Sequence, residues 1–171
     1  RVGYKPNSSR LVLRGKVFRE QKLHGKNWQW DAFKRELSCN IFDMTEENLA
    51  LYCRMIERYK PEFIHGYMSA IMILCKYIEK HCLKHHFTAV LATSETVYQD
   101  QREYVEKVLN TRLFSFYGHT ERLVIAAECE KSTDYHVEPF YGYAEIIDKN
   151  GNIITDAGIQ GELVATGFMN K

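Results

Sequence analysis

Between residues 63 and 116, short apolar runs alternate with segments of helical periodicity, and few folds accommodate that order. Phe87-Thr88-Ala89-Val90-Leu91-Ala92 is a nearly continuous apolar strand, the pattern of a parallel sheet covered on both faces. Phe63-Ile64-His65 precedes it as a short strand, and Leu113-Phe114-Ser115-Phe116 follows it. Helical patterns separate the three: about Ser69 to His81, and a second beginning near Thr96 with Tyr98, Gln101, Val105, Val108 and Leu109 on one side. Strand, helix, strand, helix, strand predicts an α/β fold with parallel βαβ units and flanking helices.

An earlier helix is expected over about 45–60. Thr45 caps it, Glu46 and Glu47 suit its positive end, and Leu49, Tyr52, Cys53, Ile56 and Tyr59 form one apolar stripe that Pro61 ends. Thr96 is the expected cap of the third helix and Asn110 its end. Before residue 45, Leu11 to Phe18 reads as a strand or short hairpin. Residues 19–40 read as a long loop whose Trp28 and Trp30 serve core packing. After Glu130 the pattern turns antiparallel. Tyr143 to Ile147 alternates, Asn150-Gly151 predicts a type I′ turn, Asn152 to Ile154 pairs back, and Gly161 to Thr166 is a further strand. Three regions are expected: 1–40, a strand and long loop; 41–140, the α/β part; and 141–171, antiparallel, with the change near 138–142.

The charge balance excludes some functions. Lys plus Arg number 23 and Asp plus Glu 22, a net +1, so a general nucleic-acid binder is not expected. Residues 1–26 are nonetheless basic, with eight cations against the single acid Glu20. They read first as a solvated loop and second as a phosphate-contacting arm. Five cysteines without a Cys-x-x-Cys pair favour free thiols in a reducing compartment. The longest largely apolar run, Met68 to Cys75, is far below the ~20 residues of a membrane helix. The expectation is a cytoplasmic protein with no membrane partner.

Tyr117-Gly118-His119-Thr120-Glu121 directly follows a strand, where open parallel sheets bind ligands. Tyr117 offers a flat face, Gly118 a close approach, Thr120 a hydroxyl and Glu121 a hard oxygen for Mg²⁺. The competing reading is a polar turn in which Thr120 caps a following helix, within a non-catalytic α/β binding module. His119, Cys129 and His136 raise a zinc reading, but Cys129-x₆-His136 is not a finger spacing, so packing or solvent exposure is expected. His81, His85 and His86 suit a helix C-terminus.

Further segments agree in order: Phe63 to Ala70, Thr93-Ser94-Glu95-Thr96, Ala127-Glu128-Cys129, Tyr135-His136-Val137, Tyr143 to Asp148 and Gly161 to Gly167. With Tyr117 to Glu121 they make the chain resemble the adenylate-forming (acyl-CoA synthetase) superfamily, over most of residues 40–171. The resemblance is to its branch of phenylacetate–CoA ligases and CapK-like capsular-polysaccharide proteins. It implies a fragment of the large N-terminal domain of such an enzyme. It further implies that Tyr117 packs on the adenine beside the close-approaching backbone of Gly118, Thr120 contacts the α-phosphate, Glu121 holds Mg²⁺, and Ser94-Glu95 passes beside the adenine and acyl group. His65, Tyr67 and Ser69 would line the acyl pocket, or else belong to a tight strand-to-helix turn that needs Gly66. ATP, Mg²⁺ and coenzyme A are the implied cofactors and a small carboxylate the implied substrate. A Gly/Ser/Thr-rich phosphate loop, a Thr-Gly-Asp run and a lid lysine are not found in this sequence, so the chain resembles a middle slice, expected to be inactive alone.

Overall fold

The computed structural model describes residues 2–15, 27–81 and 85–168. Contacts divide the chain into two compact units, Arg1–Ser115 and Phe116–Lys171. The sequence change expected near 138–142 lies inside the second, where the chain enters a hairpin.

The first unit begins with β1 (Arg10–Leu13), β2 (Trp28–Asp31) and β3 (Glu36–Cys39). β2 and β3 are an antiparallel hairpin with Trp30 opposite Leu37, a correction to the long loop expected there. Its turn contains no glycine; the Asp31 carboxylate accepts the Lys34 N–H at 3.0 Å, and Arg35 takes the left-handed conformation at φ 50°. Trp30 stacks on Tyr59 with ring centroids 4.4 Å apart, so the tryptophans pack against the core as expected. Residues 16–26, including most of the basic arm and the end of the Leu11 to Phe18 run, lie outside the described residues.

Helix α1 (Glu46–Tyr59) forms as its sequence predicts. Thr45 Oγ1 accepts the Asn48 N–H at 3.3 Å, and Lys60 closes the helix in the left-handed conformation, donating its N–H to Ile56. Then come β4 (Phe63–Gly66), α2 (Met68–His81), β5 (Ala89–Thr93), α3 (Gln99–Leu109) and β6 (Leu113–Gly118). The cap of α3 is Tyr98, not Thr96: its N–H is accepted by the Gln101 side chain at 3.4 Å. Asn110 ends α3 at φ 47°, as expected.

Within this unit the strand order is β2-β3-β1-β4-β5-β6. β1 pairs in parallel with β3 and β4, and β4 with β5. All three helices bury their stripes against one face. Leu11, Leu13, Leu37, Ile64, Val90 and Leu113 meet Tyr52, Ile56, Ile71, Leu74 and Val105 there. The other face carries a smaller cluster of Phe63, Ala89 and Phe114, over which Val2 and Tyr4 fold.

In the second unit, the end of β6 pairs antiparallel with β7 (Ile125–Cys129), and β7 with β8 (Ser132–Val137). A separate ribbon joins β9 (Gly142–Ile147) to β10 (Glu162–Gly167), antiparallel. Asn152 to Ile154 does pair back, through an Ile147–Ile153 bridge and the Ile154 N–H to Ile146 O at 2.8 Å. Only Gly151, at φ 84°, is left-handed in that turn; Asn150 is not, so the expected type I′ turn does not form. Asp148 organises it instead, its Oδ1 accepting the N–H groups of Asn150 and Asn152.

Candidate functional site

β6 runs from the interior to solvent. Leu113, Phe114 and Ser115 are buried, while Tyr117 to Glu121 are all exposed, Tyr117 by 45%. Thr120 and Glu121 form a turn closed by the Arg122 N–H to His119 O at 3.2 Å, with Arg122 left-handed at φ 56°. The chain then enters β7 and returns antiparallel, with Gly118 opposite Ile125. No helix begins here, which removes the reading of Thr120 as a helix cap. A methyl group at Gly118 would meet Val124 O at 3.6 Å, ordinary contact, so packing does not demand glycine there. The His119 ring stands edge-on to Tyr117 at 6.4 Å.

The turn is backed by residues the sequence alone did not single out. A methyl group on Gly142 would fall 1.9 Å from Leu123 O, and one on Gly167 would fall 2.9 Å from the Leu123 side chain and 3.1 Å from Arg122 O. The β9–β10 ribbon therefore presses its bare glycine backbone against Arg122 and Leu123, immediately after Glu121. The signal lay in the spacing of Gly142 and Gly167 at the ends of two alternating runs, which become cross-strand partners.

In the first unit, Ser94 directly follows β5 in the left-handed conformation, φ 63°, which costs a non-glycine residue roughly 1 kcal/mol or more. That turn aims Glu95 at the start of α2, where its two carboxylate oxygens accept the Ser69 N–H at 2.7 Å and the Ser69 hydroxyl at 2.9 Å. A carboxylate there complements the positive end of the helix. Of the other candidates, His65 is half-buried and Tyr67 donates its N–H to Leu13 O at 2.9 Å. Burial, then the nearby Arg14 and Arg10 charges, lowers the His65 pKa to about 4.

Among the described residues no group of three or more His, Cys, Asp and Glu side chains could hold a metal. His119, Cys129 and His136 are not gathered into such a group. The donor set of Thr120 and Glu121 still suits Mg²⁺, which takes one or two carboxylates and completes its shell with phosphate oxygens and water. Of the terminal histidines, His81 stacks on Tyr77 at 4.1 Å, and His85 Nε2 lies 2.8 Å from Pro61 O. Four cysteines are free; the fifth, Cys82, lies outside the described residues. Burial pushes the Cys75 thiol up to about 12, so it is inert at neutral pH. No described helix is long and apolar enough to cross a membrane.

No family model matches the sequence. Protein CapK of Staphylococcus aureus is 25% identical over 143 residues, covering 82% of this chain and 30% of CapK. A 2-hydroxyisobutyryl-CoA ligase, solved in an open conformation with 2-HIB-AMP and CoA, superposes with a TM-score of 0.69 over 97% of this chain and 40% of its own, at 16% identity. The chain is similar to CapK over most of its length and shares the fold of this ligase.

That fold extends to more distant neighbours. The Brucella canis acyl-CoA synthetase matches with a TM-score of 0.59 at 14% identity, over 95% of this chain and 30% of its own. The luciferase-like enzyme of the mealworm Zophobas morio matches at 0.63 and 15%, over 97% and 40%. The chain thus spans well under half the length of each of these relatives.

Proposed function

We propose that the protein to which this chain belongs activates a carboxylic acid with ATP, forming an acyl-adenylate and pyrophosphate. The observation that carries this reading is the solvent-facing Tyr117–Glu121 turn at the end of β6, in a chain with the adenylate-forming fold. Tyr117 and Gly118 offer a ring and bare backbone to the adenine. Thr120 donates its hydroxyl to the α-phosphate, and Glu121 holds Mg²⁺, whose charge offsets that building on the phosphate oxygens. These residues position and neutralise; displacement at phosphorus needs little covalent help from a protein. Residues 41–140 supply the nucleotide-binding part and 141–171 an antiparallel support.

Coenzyme A as acyl acceptor is supported by a neighbour solved with CoA. A role in capsular-polysaccharide biosynthesis, rather than in phenylacetate–CoA ligation, is favoured by the CapK likeness. A cytoplasmic location suits ATP, CoA and four free thiols. This sequence contains no Gly/Ser/Thr-rich phosphate loop, so the chain alone should turn over no ATP.

The test is a screen of the intact protein with a panel of carboxylic acids for acid-dependent pyrophosphate release. Release with one class of acid supports the reading. No release with any acid, from a protein that binds ATP, refutes it in favour of a non-catalytic α/β binding module.

A further inference from the structure

Among the described residues, the non-glycine residues in the left-handed conformation are Arg35, Lys60, Ser94, Asn110 and Arg122. Lys60 and Asn110 close helices, where that geometry is routine. The Ser94 turn aims Glu95 at Ser69. Arg35 ends the β2–β3 turn with its guanidinium engaged, donating to Asn7 O at 3.0 Å and lying 3.8 Å from the Glu62 carboxylate. Arg122 differs from all four. Its side chain is exposed and has no hydrogen-bond or ion-pair partner among the described residues.

The backbone fixes where Arg122 stands. Its N–H closes the turn on His119 O at 3.2 Å, and a methyl group on Gly167 would come within 3.1 Å of its carbonyl oxygen. A hairpin turn that enters its second strand through a left-handed residue is the usual place for glycine, which adopts φ 56° without strain. An arginine there is kept against that strain, and strain kept beside a candidate site points to use of the side chain. Arg122 directly follows Thr120 and Glu121, and no other Lys or Arg occurs between Tyr117 and Glu130.

That placement answers a charge problem. ATP with its Mg²⁺ is still anionic, and Glu121 brings a further negative charge to it. When a substrate carboxylate oxygen bonds to the α-phosphorus, the bond to the α–β bridging oxygen breaks and its electron pair leaves with pyrophosphate. The charge gathering on that leaving group calls for a cation. A guanidinium is always charged, and its planar fork holds two phosphate oxygens at once.

We infer that Arg122 binds the β- and γ-phosphates of ATP and neutralises the departing pyrophosphate, so that it selects triphosphate over monophosphate. The inference rests on the reading of Tyr117–Glu121 as the ATP site.

Calorimetric titration of the intact protein with MgATP and, separately, with AMP tests it. Arg122→Gln should weaken MgATP binding at least roughly tenfold and leave AMP affinity at the parent value. Arg122→Lys, which keeps the charge and loses the fork, should recover part of the MgATP affinity. Arg122→Gly relieves the turn, so it should hold or raise the unfolding midpoint and still lose MgATP affinity; it serves if the glutamine variant misfolds. MgATP affinity unaltered in the folded variants, or equal losses for MgATP and AMP, overturns the inference and leaves the ATP site standing. A parent protein that binds neither nucleotide refutes the ATP site itself, and the inference with it.

Discussion

At Gly142 a single methyl group decides whether the Tyr117–Glu121 turn keeps its backing. The added carbon would sit 1.9 Å from Leu123 O, a backbone atom that cannot swing aside. Gly142→Ala should therefore destabilise the second unit by about 3 kcal/mol, the upper end of overpacking costs. Thermal unfolding of the variant measures this, and an unchanged midpoint would show that the ribbon does not support the turn. His65 makes a separate prediction. Its folded pKa of about 4 lies below the ordinary value near 6.5, because burial and the Arg14 and Arg10 charges outweigh the attraction of Glu36. The unfolded chain thus takes up the proton first, and stability falls as pH drops from about 6.5 towards 4. Part of the ring is solvated, so the loss is on the order of 2 kcal/mol. His65→Gln should flatten the urea-midpoint profile between pH 7 and 4.5; a profile as steep as the parent's would remove His65 as its cause.

Among elements, the ends of helices carry the sharpest predictions. Thr45→Ala removes the acceptor of the Asn48 N–H and should cost about 1 kcal/mol. Glu95→Ala removes both acceptors from Ser69 and a negative charge from the start of α2, and should cost about 1–2 kcal/mol with no nucleotide present. If the ligand-free chain melts unchanged in chemical denaturation, Glu95 serves only a bound group. Helix α1 was legible because cap, acidic first turn, apolar stripe and terminating proline all agreed. The β2–β3 hairpin was not, because its turn is held by the Asp31 side chain and a left-handed Arg35, with no glycine or proline to mark it. The cap of α3 was misplaced by two residues because Thr96 has the better capping side chain. The Asn150-Gly151 turn was found, but its type depends on Asp148 accepting two backbone N–H groups, which a two-residue signature does not encode.

For the molecule as a whole, the alternation of helices and strands from α1 to β6 and the polar turn at the end of β6 could be read from the sequence. Apolar runs and polar strand ends are local properties. The glycine-to-Leu123 contacts and the Glu95–Ser69 pair could not, because each joins residues that only the fold brings together. The central claim concerns the Tyr117–Glu121 turn, and the direct measurement is acid-dependent ATP–pyrophosphate exchange by the intact protein and its Glu121→Ala variant. The account predicts that the variant folds normally and exchanges at least roughly a hundredfold more slowly, the loss expected when a transition-state charge loses its partner. Exchange at the parent rate in the folded variant would contradict it.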